Sequence, residues 1–392
     1  MRAFFLHYAH ERGLRGDAGG FRKLWELARS LSAQGCEVTV FYPRLPGEGV
    51  LLDVPARAYG IVDVEILRPL TAYLSMLLAA IAAGRRTPPD VVYFRSGLNV
   101  LPPLLRRVLG ARIVLEVNAD VQEFLRAERA GAVRRRLFAY AERLNASMSD
   151  LVVTLTPGLA RMIVERYGLP PSRVQVIPSG TDCRHFTPID AGDARRRLGL
   201  DPGGLVVGFI GLFYRHQGIP TLLAALAALR ATSPGMRGLI VGDGVMRRAW
   251  EDQARRLGLG DIVVFTGQVP YARVPLYVNA MDVVVAPFTA NRGETSPFKI
   301  LDALACARPV VASDIASLRA LAEASGAVTL VPPDAPEALG HALGVLLTDP
   351  ERRAALGRRG RAFVCARHDW ARIGEVLAGA LGRSLADVAT PR

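Results

Sequence analysis

The sequence predicts an α/β protein made of two doubly wound domains, each with a parallel sheet that helices cover on both faces. Short apolar runs rich in β-branched residues alternate with stretches of helical periodicity along nearly the whole chain, and this alternation is typical of parallel sheets. The chain has 392 residues, a length that predicts two domains of about 200 residues rather than one. Because 50% of the residues are hydrophobic, both domains can bury a sizeable core.

The first βαβ unit starts at the beginning of the chain. Residues 2–8 predict a strand, residues 19–35 a helix and residues 36–42 a second strand. We expect five inward-facing residues on the helix: Phe21, Leu24, Trp25, Ala28 and Leu31. Gly19 and Gly20 are expected in the loop before it, at the carboxyl end of a strand, where open α/β sheets bind ligands. A glycine pair permits close backbone approach to a ligand, although a turn that needs positive φ would also explain it.

The remaining elements of the first half continue the alternation. Residues 69–84 predict an apolar helix that is too short to span a membrane. We favour a helix packed within the domain, with an interfacial or lipid-facing helix as the alternative. Residues 90–96 and 111–120 predict strands that end in polar residues, and Asn118 is among those of the second strand. Residues 121–147 predict one helix.

The second half begins a new series of βα units. Residues 205–229 predict a strand, a polar loop and a helix, the counterpart of the first unit. Residues 238–259 and 261–288 predict further units, with Gly242 and Gly244 in a turn. A lone Gly-x-Gly is weak support for nucleotide binding. No Gly-x-Gly-x-x-Gly with a later acid follows the first strand, so the pattern does not favour a dehydrogenase.

Residues 294–314 carry the densest chemistry of the chain. Ser296 is a plausible N-cap, and Pro297 is a good first residue for a helix that Pro309 ends. Residues 309–313 then predict a short, fully buried parallel strand.

Three charged residues lie around the start of this helix: Glu294 before it, Lys299 in its first turns and Asp302 further along. A helix N-terminus has unpaired N–H groups and a partial positive charge, so it favours a phosphate. Two carboxylates and an ammonium suit a sugar diphosphate, because carboxylates hold hydroxyls and the cation holds the pyrophosphate. An ordinary amphipathic helix with a capping carboxylate is the alternative.

This segment resembles the donor-site motif of retaining glycosyltransferases of family 4, a Glu followed after seven residues by a second Glu. Asp302 stands at the second position and is one methylene shorter. Residues 151–188 are similar to the segment that closes the family's first domain. Its signature Val-Ile-Pro-x-Gly-x-Asp and a later Phe are matched by Ile177, Pro178, Gly180, Asp182 and Phe186. The resemblance covers essentially the whole chain.

The resemblance implies the GT-B fold, in which two Rossmann-like domains face each other across a cleft. An N-terminal, acceptor-side domain is expected over 1–187, and a nucleotide-sugar-binding domain over 188–370. The helix is expected to break near Trp370, and the last helix, about 371–392, to cross back to the first domain.

The resemblance also implies an activity, the transfer of a sugar from a UDP- or GDP-sugar with retention at the anomeric carbon. The expected acceptor is a glycan, a lipid-linked or a small molecule, in cell-envelope or exopolysaccharide synthesis. We expect a front-face mechanism in which the leaving phosphate helps to deprotonate the acceptor, because two carboxylates flanking the bond cannot be identified. The residues assigned to catalysis are Glu294, Lys299 and Arg215. Those assigned to the donor are Gly211, Asp302, Thr295, Ser296, Phe298 and Val269. Those assigned to the cleft and acceptor are Gly19, Gly20 and Asn118.

Four positions depart from the family pattern. Leu212 and Gln217 stand where relatives carry an Arg and a Lys that grip the diphosphate, so Arg215 in the same loop is assigned the missing charge. Asn118 stands where a histidine is common, and Asp302 replaces a Glu. These departures leave two alternatives to an active transferase: a catalytically silent binding subunit, and a nucleotide-sugar epimerase of the same fold.

The charge pattern argues against nucleic acid as a partner. The formal net charge is +13, but the excess is spread over both halves and aromatic residues are only 7%. Nucleic-acid binders concentrate basic and aromatic groups on one face, so an anionic membrane surface or anionic substrates fit better. Among the 49 basic residues only Lys23 and Lys299 are lysines, which makes a Lys inside the motif notable for phosphate binding.

The last expectations concern metals, thiols and location. No Asp-x-Asp or histidine cluster suggests a metal site, so no metal or other cofactor is expected. Four cysteines stand singly, and we expect free thiols in a reducing compartment at Cys36, Cys183, Cys306 and Cys365. No signal peptide or membrane-spanning run is indicated. We therefore expect a cytoplasmic protein, and peripheral attachment to the inner face of the membrane is a further expectation.

Overall fold

Strands and helices alternate along the chain. The structure, a computed structural model, describes residues 1–8, 19–44, 53–62, 64, 67–97, 102–127, 130–292 and 298–386. These residues form two units. The first contains the described residues within Met1–Ser179 and from Trp370 onward, and the second those within Gly180–Gly293 and Pro297–Asp369.

A parallel sheet is the centre of the first unit. Its strands are β1 (Arg2–Leu6), β2 (Glu37–Arg44), β3 (Ala56–Gly60), β4 (Val91–Arg95), β5 (Arg112–Val117), β6 (Leu151–Thr154) and β7 (Val174–Val176). They lie in the order β3-β2-β1-β4-β5-β6-β7, and all neighbours pair in parallel. The chain winds from β1 to one edge and then returns to the centre and continues to the other, which makes the sheet doubly wound, as predicted.

Helices connect these strands: α1 (Gly19–Ala33), α2 (Arg68–Gly84), α3 (Pro102–Leu109), α4 (Val121–Ala127), α5 (Ala132–Met148) and α6 (Pro157–Tyr167). The single helix predicted over 121–147 is therefore two helices. Gly131 lies directly before α5 with φ −58° and ψ 153°, an extended conformation that cannot continue a helix.

Helix α1 begins at Gly19, where the predicted helix 19–35 also begins. Gly19 and Gly20 are its first two residues, so the expectation that they lie in a loop before the helix is wrong. Four of the five residues expected inside are buried: Phe21, Leu24, Ala28 and Leu31. Trp25 is only partly buried, with the Arg22 guanidinium 4.5 Å from its ring centre. Lys23 is buried instead, at 2% exposure, because a polar partner on the sheet meets it there.

Helix α2 has two apolar faces. Its inner face, with Ala72, Tyr73, Met76 and Ala80, packs against the sheet in one core. Its outer face leaves Leu70, Leu74 and Leu78 exposed by 58%, 45% and 64%. The predicted packing role is therefore correct for one face only. Within the described residues, no helix has both the length and the apolar character needed to cross a membrane.

The last helix, α15 (Trp370–Ala386), belongs to the first unit, as predicted. It packs against α1 at Gly374, where a Cβ atom would lie 2.6 Å from the Ser30 Cβ. Ile373, Leu377 and Leu381 are buried on the same helix. A small residue is required at this crossing because the two helix backbones approach closely.

The second unit has a six-stranded parallel sheet. Its strands are β8 (Val206–Ile210), β9 (Arg237–Val241), β10 (Val263–Gly267), β11 (Val283–Ala286), β12 (Val310–Ser313) and β13 (Val328–Val331). They lie in the order β10-β9-β8-β11-β12-β13. The helices are α7 (Ala191–Leu198), α8 (Ile219–Leu229), α9 (Arg247–Arg256), α10 (Val274–Asn279), α11 (Phe298–Ala305), α12 (Ala316–Ser325), α13 (Pro336–Thr348) and α14 (Pro350–Arg367). Two buried apolar clusters form the core of this unit. One contains Ile300 and Leu301, and the other contains Phe209 and Leu222.

A disulfide joins Cys183 to Cys365 in the second unit, with Cα atoms 5.8 Å apart. The prediction of four free thiols is therefore wrong for this pair, while Cys36 and Cys306 are free. The two bonded cysteines are 182 residues apart, and no sequence spacing brings them together. The packing of the segment after Gly180 against the end of α14 does so.

In each sheet the direction of winding reverses at one point, between β1 and β4 in the first unit and between β8 and β11 in the second. The loops at the carboxyl ends of the strands diverge there and leave a crevice, which is where open α/β sheets bind ligands. Gly211 follows β8 and Asn118 follows β5, so these two predicted site residues lie at the carboxyl ends of the sheets.

Candidate functional site

In the second unit, a lysine lies at the point where the strand order reverses. Lys299 is in the first turn of α11, partly buried, and its Nζ donates a hydrogen bond to Gln217 Oε1. The ammonium lies 4.1 Å from the ring centre of Phe209 and 5.1 Å from that of Phe288. Phe209 is the last residue but one of β8, and Phe288 follows β11. Both central strands therefore place an aromatic ring beside the cation.

Gly211, directly after β8, gives the lysine its space. A Cβ atom there would lie 2.8 Å from Lys299 Nζ, and its φ of +151° also favours glycine. At Gly242 the backbone passes close to the backbone of Gly211: a Cβ atom would lie 1.9 Å from the Gly211 carbonyl oxygen. Its role is thus backbone packing next to the site, which the Gly-x-Gly pattern alone does not reveal.

Positive charge collects around Lys299. Burial, and then the charge of Arg292, lower the pKa of Lys299 well below its usual value. Burial lowers the pKa of Arg292 to about 10. Burial also lowers the pKa of His216 to about 4, with Arg292 and Lys299 adding to the effect, so this imidazole is neutral at pH 7. Among the described residues Lys299 forms no ion pair with a carboxylate, so the site favours an anion.

Asp302 lies deeper on α11 and is anchored. Its Oδ1 accepts a hydrogen bond of 2.6 Å from the buried Thr181 hydroxyl. Thr181 belongs to the segment that matches the family signature, and its N–H donates to the His368 carbonyl at 2.8 Å. The structure therefore joins two predicted motifs, because the acid of one motif is held by the hydroxyl of the other.

The other residues assigned to this site have varied positions. Val269 and Phe298 are partly buried in the second unit. Arg215 is exposed in a short 3₁₀ turn that ends at Gln217. Glu294, Thr295 and Ser296 lie outside the described residues, as does Pro297.

The first unit has a polar cluster at its own reversal point. The ammonium of Lys23, on α1, forms an ion pair with Glu116 on β5 and donates to Asn118 Oδ1 at 3.0 Å. Glu116 is fully buried, and Arg95, at the end of β4, lies 3.6 Å from its other oxygen. Burial lowers the pKa of Lys23 to about 8, although Glu116 opposes the shift.

Two further groups of this edge have fixed states. Asp120 accepts two hydrogen bonds from Arg166, at 2.8 and 2.5 Å, and caps α4 through the N–H of Gln122. Burial and the charge of Arg95 lower the pKa of His7 to about 3, so its imidazole is neutral at pH 7. Asp120 is therefore committed to Arg166 and to the helix, and His7 is neutral and only weakly basic at neutral pH.

Within the part of the chain that the structure describes, no group of three or more His, Cys, Asp and Glu residues could hold a metal ion. The cluster around Lys299 consists mostly of cations and an amide, and the carboxylates of the first unit's cluster are paired with cations.

Sequence analysis missed two of these cations. Lys23 had a usable signal, since it is one of only two lysines in the chain and the other lies in the recognised motif. Arg292 had none, because one arginine among 47 does not stand out in the sequence. Only its position near Lys299 and His216 distinguishes it.

Comparisons with known proteins agree with this architecture. Residues 19–185 match the model described as Glycosyltransferase Family 4, and residues 204–349 match Glycosyl transferases group 1. The 2-deoxystreptamine N-acetyl-D-glucosaminyltransferase of Streptomyces fradiae is 31% identical over 360 residues, which cover 85% of this chain and 84% of that protein.

Two solved structures have the same fold over their whole length. Sucrose-phosphate synthase from Thermosynechococcus elongatus has a TM-score of 0.81 at 22% identity and covers 99% of each chain. Anabaena HepE in complex with UDP and glucose has a TM-score of 0.77 at 20% identity, over 98% of this chain and 100% of that one. These likenesses confirm the predicted GT-B fold. Together with the identity to the Streptomyces enzyme, they show that the chain belongs to glycosyltransferase family 4, the group 1 glycosyl transferases.

Proposed function

We propose that this glycosyltransferase takes its sugar from a nucleotide diphosphate sugar and transfers it with retention at the anomeric carbon. The observation that carries the proposal is Lys299, a partly buried ammonium that the amide of Gln217 holds and that pairs with no carboxylate among the described residues. A charge held in this way remains available for an anion, and the diphosphate is the anionic part of such a donor.

Arg292 is the second cation that we assign to the diphosphate. It lies close enough to Lys299 and His216 to influence the pKa of both. A departing nucleoside diphosphate gains negative charge, so fixed cations stabilise the transition state more than the bound donor. Because these cations supply positive charge at the leaving group, we propose a reaction that needs no metal ion. Arg215 remains a candidate for the same role from the edge of the loop.

The carboxylates have a different role in this proposal. Glu294 would hold hydroxyls of the transferred sugar, and Asp302, which accepts a hydrogen bond from Thr181, would hold a ribose hydroxyl.

Retention follows from a front-face reaction. The bond between the anomeric carbon and the diphosphate oxygen breaks, the bond to the acceptor oxygen forms on the same face, and the acceptor proton passes to the leaving phosphate. Glu116 and Asp120 at the edge of the first sheet are paired with Lys23 and Arg166. These carboxylates are therefore not free to act as a nucleophile or a general base.

The donor and acceptor classes rest on the relatives. HepE was solved with UDP and glucose, which supports a UDP-sugar, with a GDP-sugar as the other arm of the test. The Streptomyces enzyme is named for 2-deoxystreptamine, which supports a small molecule rich in hydroxyl and amino groups. A glycan or lipid-linked acceptor of the cell envelope is the further class to test.

We also propose that the first unit docks on an anionic membrane surface. Leu70, Leu74 and Leu78 form an exposed apolar row on α2, and the exposed Arg85 and Arg86 follow that helix. An apolar row bordered by arginines fits the interface of a membrane that carries anionic lipids.

Release of nucleoside diphosphate tests the donor proposal. Wild-type protein is incubated with UDP- and GDP-sugars, with and without a panel of acceptors, in buffer with and without EDTA. We expect acceptor-dependent release that EDTA does not abolish. Lys299→Ala should lower kcat/KM by about 10²-fold, and Arg292→Gln by about 10-fold or more, while the exposed Arg197→Gln should match wild type.

The remaining outcomes contradict the proposal in separate ways. Binding of the nucleotide sugar without turnover would indicate the silent binding subunit. A changed sugar without release of nucleoside diphosphate would indicate an epimerase. Normal kinetics for Lys299→Ala would remove the assigned diphosphate site.

A further inference from the structure

Lys23 is the one other lysine of the chain, and it is buried where its charge cannot reach a ligand directly. Its side chain is 2% exposed, and Glu116, which is fully buried, neutralises it. The fold nevertheless gives the ammonium a second bond, to Asn118 Oδ1 at 3.0 Å. An ammonium has three N–H donors, so this second contact satisfies one of them and at the same time acts on Asn118.

The contact fixes the orientation of the Asn118 amide. A carboxamide has one accepting oxygen and one nitrogen with two N–H donors. With an ammonium on one side, the oxygen must face it, because the opposite orientation would place donors against a cation. The nitrogen therefore faces the other way. Asn118 is partly exposed, and within the described residues its nitrogen has no hydrogen-bond partner.

The groups around Asn118 make this edge rich in hydrogen-bond donors. The carboxylate of Glu116 faces Lys23, with Arg95 3.6 Å away. The carboxylate of Asp120 faces Arg166. The Arg95 guanidinium at the end of β4 and the Asn118 amide nitrogen after β5 are both hydrogen-bond donors. A ligand at this edge has to offer an oxygen that accepts.

We propose that Lys23 is a positioning residue for catalysis: it orients Asn118 so that the amide N–H donates to an oxygen of the substrate. The ligand is a hydroxyl-rich molecule, either the transferred sugar or the acceptor. This inference rests on the proposed glycosyl transfer and adds to it a residue that does not touch the substrate.

The sharpest test is Asn118→Asp, which keeps the shape of the side chain and changes only its chemistry. The aspartate still offers an oxygen to Lys23, but it presents a second oxygen to the substrate where Asn118 presents N–H. We expect kcat/KM to fall by at least about 10²-fold, with thermal stability equal to wild type or higher. Activity within about threefold of wild type would overturn the inference, since Asn118 would then be only a partner for the lysine.

A second comparison tests whether Lys23 acts through Asn118. Lys23→Met combined with Glu116→Gln removes both buried charges together, so that no unpaired charge remains. We expect this pair of changes to lower kcat/KM, and Asn118→Ala to lower it by a similar factor. All three changes together should be no worse than Asn118→Ala alone. Multiplying losses would show that Lys23 has a role separate from Asn118 and would overturn the proposal.

The acceptor and donor KM values separate the two ligands, because the changed KM identifies the substrate that Asn118 contacts. Failure of the proposed function is recognised independently. Wild-type protein that releases no nucleoside diphosphate with any acceptor would reject glycosyl transfer from these donors and this inference with it. An active wild type and an equally active Asn118→Asp would reject this inference alone.

Discussion

The two lysines of the chain differ in their partners, and the partners decide what each lysine can do. Lys299 and Lys23 both donate to a side-chain amide, of Gln217 and Asn118. An amide oxygen orients an ammonium without cancelling its charge, so the protonated form of Lys299 offers its whole charge to an anion. Lys23 also meets Glu116, which cancels that charge and leaves only its ability to orient a neighbour. The partner, and not the lysine, decides the function.

Proton uptake should accompany donor binding. Burial and Arg292 hold the pKa of Lys299 well below its usual value in the free protein, and an adjacent diphosphate raises it. Between the free and the bound pKa the amine gains a proton on binding, so affinity should weaken as the pH rises through that window. Calorimetry of UDP binding in buffers of different ionisation enthalpy measures the uptake. We expect Lys299→Met to abolish it, and a heat independent of buffer in wild type would contradict this account.

Gly211→Ala should disturb the same ammonium without removing it. The new Cβ atom would lie 2.8 Å from Nζ and 3.3 Å from Cε, so the lysine must leave its place between Phe209 and Phe288. We expect Kd for UDP to rise about 10-fold. The matched control is Gly382→Ala, where a Cβ atom meets nothing within 4 Å. Unchanged affinity in Gly211→Ala would show that the position of the lysine is not critical.

Asp302 has a structural contact and a predicted ligand contact, and two substitutions separate them. Thr181→Val removes the 2.6 Å hydrogen bond and leaves the carboxylate in place. Asp302→Ala removes both contacts. We expect Asp302→Ala to raise the donor KM about 10-fold with little change in kcat, as for a contact shared by ground and transition states, and Thr181→Val to raise it less. If both variants lose only thermal stability, Asp302 has no role in donor binding.

At the scale of elements, helix α2 has apolar residues on both its buried and its exposed face. Ala72, Tyr73 and Met76 pack against the sheet, while Leu70, Leu74 and Leu78 point away from it. Residues three or four apart share a helix face, so a helix that is apolar throughout will look buried in the sequence. Here only part of it is, and the exposed row needs another explanation.

Membrane binding is the proposed explanation of this exposed row. The triple change Leu70→Gln, Leu74→Gln and Leu78→Gln should reduce sedimentation with vesicles that contain phosphatidylglycerol by about 10-fold or more. Activity on a water-soluble acceptor should remain that of wild type. Val264→Gln is the control, since Val264 is an exposed apolar residue of the second unit. Equal sedimentation of the triple variant and the wild type would reject the membrane surface.

At the scale of the whole molecule, the chain passes twice between the units, at Ser179–Gly180 and at Asp369–Trp370. The residues of the second unit next to these two points are bonded to each other. Thr181 and Asp369 form a β-bridge, the N–H of Cys183 donates to Asp369 Oδ2 at 3.2 Å, and the disulfide from Cys183 lies beside them. The disulfide therefore reinforces a connection that hydrogen bonds already make.

Loss of this disulfide should destabilise the second unit. The covalent loop spans 182 residues, for which chain entropy alone predicts a stabilisation of up to about 5 kcal/mol. We expect Cys183→Ser to lower the unfolding midpoint in calorimetry without reductant, and Cys36→Ser to leave it unchanged. Thiol titration of the unfolded wild type should find two free thiols. Four free thiols, or equal midpoints for wild type and Cys183→Ser, would refute the bond's contribution.

The sequence by itself determined the class of fold, the family and the motif around Lys299, because each depends on local periodicity or on residues close in the chain. The tertiary structure alone decided which groups meet. Lys23 and Glu116 are 93 residues apart, and Lys299 and Gln217 are 82 apart. Parallel strands bring such distant groups to one edge of a sheet, and their contacts depend on register and helix packing. Local periodicity does not encode these contacts, so burial of Lys23 and the disulfide could not be predicted.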